Sequence, residues 1–224
     1  MRAPWKADVF QRLSHIEKER FFRPNTNKKT HRLAVAAMLT AVAFGLQFVE
    51  TSIPIMPGFV KLDLSDLPAL LGTFALGPVW GVAIQLAKNL LHLPFGQSAG
   101  VGELCNFLLG GVFVFVAGLV YRGHKCRGRA LVGTVLGAVV MAVMSLPLNY
   151  FFVYPAYVKI LHFPLEAIIG AYQAILGSVA QMPTADPLLN CLLVFNVPFT
   201  LCKGLLNVLI CFFIYKPLSP LLHK

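Results

Sequence analysis

The sequence predicts an all-α integral membrane protein with six transmembrane helices, and three observations carry that prediction. The 224 residues are 57% hydrophobic and only 12% charged, with a mean hydropathy of +0.72. A water-soluble domain of this size needs far more polar surface, so the bilayer is the solvent. Apolar runs of helical length recur along the chain. The basic residues cluster beside those runs, nine of the 19 Lys and Arg in residues 1–32 and four more in "RGHKCRGR" (122–129).

The first apolar segment, "RLAVAAMLTAVAFGLQFV" (32–49), is rich in small residues. Ala37 and Ala41 stand at the small-xxx-small spacing that lets helices approach closely, either within the bundle or against a partner. A loop with Pro54, Pro57 and Gly58 leads into "FVKLDLSDLP" (59–68), where Lys61, Asp63 and Asp66 gather just before the second segment, "LPALLGTFAL" (67–76). That segment is broken by Gly77-Pro78 from the third, "VWGVAIQLAKNLLHL" (79–93). Both are shorter than the roughly 20 residues that span a bilayer, and broken helices survive at membrane depth only against protein or a cavity. In transporters such a pair marks a substrate site. Segments four, five and six are "VGELCNFLLGGVFVFVAGLVY" (101–121), "ALVGTVLGAVVMAVMSLPLNYFFVY" (130–154) and "VFNVPFTLCKGLLNVLICFFIY" (194–215). The long connection between the last two holds "PLEAIIGAYQAILGSVA" (164–180), expected as an extra helix across the outer face.

Charge placement sets the topology. With both termini in the cytoplasm, six spans put 15 of the 19 basic residues inside, as the positive-inside rule requires. Residues 1–30 read as a basic cytoplasmic extension without the apolar core of a signal peptide, and residues 31–217 as the membrane domain. Within the extension, "WKADVFQRLSHIEKERFF" is either a surface amphipathic helix or a solvated tail. Basic clusters beside apolar spans are topology signals, so the net charge of +10 does not indicate nucleic acid. The five cysteines show no CxxC pair and sit mostly in apolar runs, which excludes a disulfide framework and a cysteine metal site.

Polar side chains inside apolar segments cost enough on insertion to need a reason. Gln85, Lys88 and His92 share one stripe of segment three, with Asn89 beside them. Glu103 and Asn106 open segment four, and Gly110 continues their face. Asn149, Tyr150 and Tyr154 close segment five, and Lys203 and Asn207 lie at i, i+4 in segment six. These groups converge on a pocket toward the outer side, with Tyr150, Tyr154 and neighbouring aromatics as walls. Each also has a plainer reading. Lys88 either contacts a ligand or pairs with Glu103 or Asp66, and the tyrosines are pocket walls or interfacial belt residues. Lys203, with no carboxylate in its own segment, reads as a ligand contact. Ser65 or Asp66 is expected to cap the second helix, and Lys61 to pair with Asp63. Nothing resembles GxxxxGK[ST] or HExxH, so ATP hydrolysis has no support and the chain is not expected to be an enzyme.

"VKLDLSDLPALLGTFALGPVWGVAIQLAKNLLH", followed by "GVGELCNFLLG", "PLNYFFVYPAY" and "PFTLCKGLLNVLI", resembles the riboflavin-specific substrate-binding (S) components of energy-coupling-factor vitamin transporters. The resemblance implies six helices, a vitamin pocket near the outer face of the bacterial cell membrane, and no cofactor beyond riboflavin as transported substrate. Its implied partners are a transmembrane coupling subunit, docked through Ala37 and Ala41, and two cytoplasmic ATPases. Asn149 and Lys203 match the residues that hydrogen-bond the flavin ring. Leu62, Asp63 and Asp66 match the gating loop and the start of helix two, and Lys88, Asn89, Glu103 and Asn106 match further polar motif positions. Asn and Lys donors between aromatic walls suit the polar edge of a flat ring. No arginine cluster awaits a phosphate, so riboflavin is expected to bind better than its phosphate. The alternatives are a component for another vitamin, such as biotin or thiamine, a membrane enzyme acting on a lipid or prenyl substrate, and a scaffold subunit that binds no small molecule.

Overall fold

The computed structural model describes residues 28–52, 56, 61–96, 98–123, 125–176 and 186–222. The basic extension up to residue 27, most of the Glu50–Val60 loop and residues 177–185 of the last connection lie outside them. Packing divides the chain into the units Met1–Ala34 and Val35–Lys224, and the second holds the core.

Helix α1 (Lys28–Gln47) buries Ala36, Thr40, Ala43 and Gln47, at alternating spacings of four and three. Such a stripe is what an α-helix needs to bury one face. Ala37, Met38, Ala41, Val42 and Gly45 remain exposed on the other. A short antiparallel hairpin follows, pairing β1 (Thr51–Ser52) with β2 (Lys61–Leu62). Helices α2 (Asp66–Leu76) and α3 (Pro78–His92) are then separated by Gly77 alone. The φ of 111° at Gly77 lies where L side chains rarely go, and Pro78 opens α3 where its missing N–H costs nothing. Two short helices, broken where the sequence predicts, result.

Helix α4 (Val101–Gly123) packs along α3 and along α5 (Arg127–Leu148). Beyond Leu148 the chain does not leave the helix. A π-helical turn, Asn149–Val153, carries it into α6 (Tyr154–Ile160), making one helical run from Arg127 to Ile160. After α7 (Leu165–Leu176), α8 (Pro187–Cys191) passes through a second π turn, Leu192–Asn196, into α9 (Val197–Leu222). The expected ends of segments five and six are therefore corrected outward. The reason is proline. Pro155 and Pro198 each follow a π turn by two positions, and a proline cannot bond the carbonyl four residues back and clashes with it. Widening the preceding turn relieves that clash without breaking the helix: the N–H of Tyr154 bonds Asn149 O and that of Val197 bonds Leu192 O.

Three helical stretches among the described residues are long and apolar enough to cross a membrane: Val101–Gly123, Arg127–Ile160 and Pro187–Ile214. One apolar core joins α1, α2, α3, α4, α5 and α9 through residues such as Leu70, Phe74, Ile84, Phe113 and Met141. A second cluster gathers Met56, Tyr154, Ile168, Tyr172, Leu192 and Phe195, so the loop between β1 and β2 is pinned at Met56 against α6 and α7.

Helices α4 and α5 meet backbone against backbone. A Cβ on Gly137 would lie 2.6 Å from the Phe113 carbonyl oxygen, and one on Gly133 2.8 Å from that of Ala117. Gly128, on the first turn of α5, faces open space. Gly137→Ala is expected to destabilise the protein by about 1–3 kcal/mol, because backbone must move to admit the methyl group. Gly128→Ala should be neutral or stabilising by up to about 1 kcal/mol. Thermal unfolding in detergent compares the two, and equal midpoints would show that the α4–α5 contact is not tight.

Candidate functional site

Charges on four separate elements meet at one end of the first core. Asp66, the first residue of α2, and Lys88, one turn from the end of α3, are 1% and 0% exposed and pair at 2.7 Å. Gln85 donates to the same Oδ1 of Asp66 at 2.8 Å, and Lys88 donates to Ser65 Oγ at 2.5 Å. Lys203 reaches in from α9, bonding Asp63 Oδ2 at 2.9 Å and Asn106 Oδ1 of α4 at 3.2 Å, with Asp66 Oδ2 at 3.5 Å. An amide ladder extends the network. Asn106 Nδ2 and Gln47 Nε2 of α1 each donate to Asn89 Oδ1 at 3.3 Å. Helix α4 comes this close only because position 110 is glycine: a Cβ there would sit 2.8 Å from Gln85 Nε2 and 2.9 Å from Asp66 Oδ1.

Two carboxylates and two ammonium groups make the cluster electrically neutral. Isolated buried charges cost several kcal/mol each, and mutual pairing offsets that cost. Burial is the largest influence on the Asp63 carboxyl and would raise it, but the Lys203 and Lys88 ammonium groups and the Ser65 hydrogen bond together hold the group below the ordinary carboxylate range. Of the two carboxylates weighed as partners for Lys88, Asp66 is the one it pairs with. Lys203 also has carboxylate partners, supplied from outside its own helix.

Two local expectations are corrected. Neither Ser65 nor Asp66 caps α2 with its side chain. Asp63 accepts from Ser65 N at 2.9 Å and from its hydroxyl, so Asp63 organises the turn and Ser65 is drawn into the charge cluster. Lys61 pairs with Glu50 and not with Asp63. Glu50 precedes β1, and Lys61 lies opposite Ser52 in the hairpin register, so the pair closes the base of the loop. Leu62, in β2, is half-buried.

The other expected residues fall around this centre. Glu103 accepts from Ser98 at 2.9 Å and lies 3.2 Å from His92 Nδ1, joining the end of α3 to the start of α4. Asn149 is buried in the first π turn, donates to Ser145 O at 2.7 Å and has Cys105 Sγ of α4 at 4.0 Å. Tyr150 donates to Asp186 Oδ2 at 2.6 Å. Asn207, one turn beyond Lys203, is fully buried, and its Oδ1 has no partner. Ala37 and Ala41 lie apart from all of these, on the exposed face of α1.

Sequence reasoning missed part of the polar framework. Ser65 joins the charge cluster directly, and Gln47 joins it through Asn89. Tyr154, Tyr172 and Asn196 form a closed buried triangle, with Tyr154 OH and Tyr172 OH 2.7 Å apart and Asn196 bonded to both. The signal for Gln47 and Asn196 was present, an amide inside an apolar run, and such a group needs a partner at membrane depth. Tyr172 lacked any such signal, because its segment reads as a surface helix.

Comparison with known proteins agrees with this geometry. Residues 31–215 match the family of ECF transporter substrate-specific components. The chain is 32% identical to the riboflavin transporter RibU of Staphylococcus aureus (strain TCH60), over 88% of its own length and 95% of that protein's. It is 27% identical to the riboflavin transporter FmnP of Bacillus subtilis (strain 168), over 88% and 96% of the two chains. A solved structure of the S component of a bacterial ECF transporter superposes with a TM-score of 0.67 at 30% identity, covering 88% of this chain and 99% of that one. A family match over residues 31–215, with a solved S component superposing over nearly its whole length, makes the chain a member of the substrate-specific components of the ECF transporters.

Proposed function

We propose that the chain is the riboflavin-binding subunit of an ECF-type importer, a transport protein and not a catalyst. It captures the vitamin at the outer face and passes it inward with a transmembrane coupling subunit and two ATPases. The observation that carries this reading is the agreement of relatives named as riboflavin transporters across nearly the whole chain. The proposed setting is the bacterial cell membrane, with six spans and both termini cytoplasmic, as the distribution of basic residues favours.

In this reading Asn149 and Lys203 present donors to the polar edge of the flavin ring. Asn106, Asn89 and Asn207 supply further amide contacts, and Tyr150 supplies a wall. Asn207 Oδ1, buried without a partner, has acceptor capacity to spare. Asp63 and Asp66 hold the end of the gating loop by pairing with Lys203 and Lys88, and Lys61 ties the loop's base to Glu50. A ligand that draws on Lys203 therefore competes with the anchor of the loop, which links binding to the position of the lid. Docking to the coupling subunit uses the exposed Ala37 and Ala41.

Three variants test this reading by quenching of riboflavin fluorescence and by ATP-driven uptake. Asn149→Ala should weaken riboflavin binding about tenfold with little loss of stability, since it removes one donor to a polar ring. Undiminished affinity would remove Asn149 from the pocket. Lys203→Ala should lose both binding and about 3 kcal/mol of stability, because it strands Asp63 in a buried position. The charge-balanced pair Asp63→Asn with Lys203→Gln should regain the stability and not the affinity; recovery of both would mean that Lys203 serves the fold alone. Ala37→Trp should leave binding intact and abolish uptake, and uptake at the normal rate would reject docking through α1.

A further inference from the structure

Far along the sequence from the charge cluster's loop, a cavity of about 300 Å³ opens between the start of α5 and the second half of α9. Arg127, Leu131 and Thr134 line it from α5, and Val208, Phe212 and Phe213 from α9. Its walls are apolar except at Arg127. Thr134 turns its hydroxyl back to Ala130 O of its own helix, so that group needs no ligand. Phe212 and Phe213 are 57% and 68% exposed, so the groove continues into apolar surface facing the surroundings.

Charge on the adjoining loop is of one sign. Arg122, Lys125, Arg127 and Arg129 lie within eight residues, all are exposed, and no acidic residue interrupts them. Among the described residues none of the four forms an ion pair. This contrasts with Lys88 and Lys203, each neutralised by a carboxylate. The groove thus has an unneutralised guanidinium at its rim and an apolar floor sized for part of an acyl chain.

We infer that this groove is a binding site for an anionic phospholipid. The headgroup phosphate bonds Arg127 and is drawn by the neighbouring cations, while an acyl chain lies along Leu131, Val208 and Phe212. The charge pattern chooses this occupant over a zwitterionic lipid, which has no net charge for the loop to attract, and over an apolar helix, which leaves the guanidinium unpaired at the rim. Basic pockets between membrane helices are suited to such headgroups, and each Lys or Arg near an anionic surface contributes about 1 kcal/mol.

Native mass spectrometry of the full chain in detergent, with phosphatidylglycerol or phosphatidylcholine added at equal mole fraction, reads the occupancy directly. Phosphatidylglycerol should be retained preferentially. Arg127→Gln should weaken its retention about fivefold by loss of one cationic contact. Leu131→Trp should lower it comparably by filling the groove with the charge untouched. Monodisperse elution establishes that each variant is folded, and Arg127→Met, which keeps an apolar stem, replaces the glutamine if that variant is not. Equal retention of the two lipids overturns the assignment, as does a preference that survives both variants. Loss in the arginine variant alone places the lipid on the loop surface and overturns the groove; loss in the tryptophan variant alone overturns the headgroup contact. Failure to retain either lipid leaves the groove to a protein partner and equally overturns the proposal. None of these outcomes depends on riboflavin.

Discussion

The pairing of Asp66 with Lys88 is the interaction on which the arrangement around the site depends. Both groups are removed almost completely from solvent, and neither is tolerable there alone. Because Asp66 begins one short helix and Lys88 lies near the end of the next, the pair holds α2 and α3 side by side after the turn at Gly77. Asp66 also faces Lys203, which brings in α9, and Lys203 faces Asp63, which brings in the loop end. One carboxylate thus sets the relative placement of three helices and a hairpin. Gly110 completes the constraint, since any side chain there would push α4 off the cluster.

The two pairs of this neutral cluster differ in their surroundings. Replacing the cluster by apolar side chains would give a tighter core, but no exchangeable partner for a polar ligand. Lys203 has three oxygen partners within reach, on the loop, on α2 and on α4, and it sits at the partly exposed margin of the cluster while Lys88 sits at its centre. The central pair is therefore the structural one. The marginal pair has the exposure and the alternative partners that a switching contact needs.

What was legible in the sequence is what local chemistry decides. Gly77-Pro78 stopped one helix and started another wherever the tertiary structure placed them, so the short helices could be read directly. The same holds for the stripe of Gln85, Lys88 and His92 with Asn89 beside it, which follows from helical periodicity; burial takes in Gln85, Lys88 and Asn89 and leaves His92 at the margin. Partnerships were less legible because they are non-local: Lys203 and Asp63 are 140 positions apart, and nothing in the helix carrying Lys203 announces a carboxylate. The π turns were hidden for a different reason. A proline inside an apolar run predicts a break, and only three-dimensional packing decides whether the chain breaks or widens by one residue. Widening won in both long helices, where Tyr154, just after the first turn, and Asn196, the last residue of the second, bond to each other and both to Tyr172. That buried side-chain triangle sets the irregular turns against neighbouring protein, the condition under which such backbone persists at membrane depth.

Helix α1 shows how little sequence separates two roles. Ala36, Thr40, Ala43 and Gln47 face the core, and Gln47 reaches the site through Asn89. Ala37 and Ala41, one position further round, face away from it. Composition treats these alanines alike, and only the register distinguishes them. Thr40 satisfies its hydroxyl on Ala36 O within the helix, so the inward stripe needs no polar partner until Gln47. The outward stripe presents side chains small enough for another helix backbone to approach, at the cost of leaving Met38 and Val42 uncovered by this chain. A straight helix cannot rotate one of these faces without rotating the other. The contact of Gln47 with Asn89 and the orientation of the small-residue face are therefore set together.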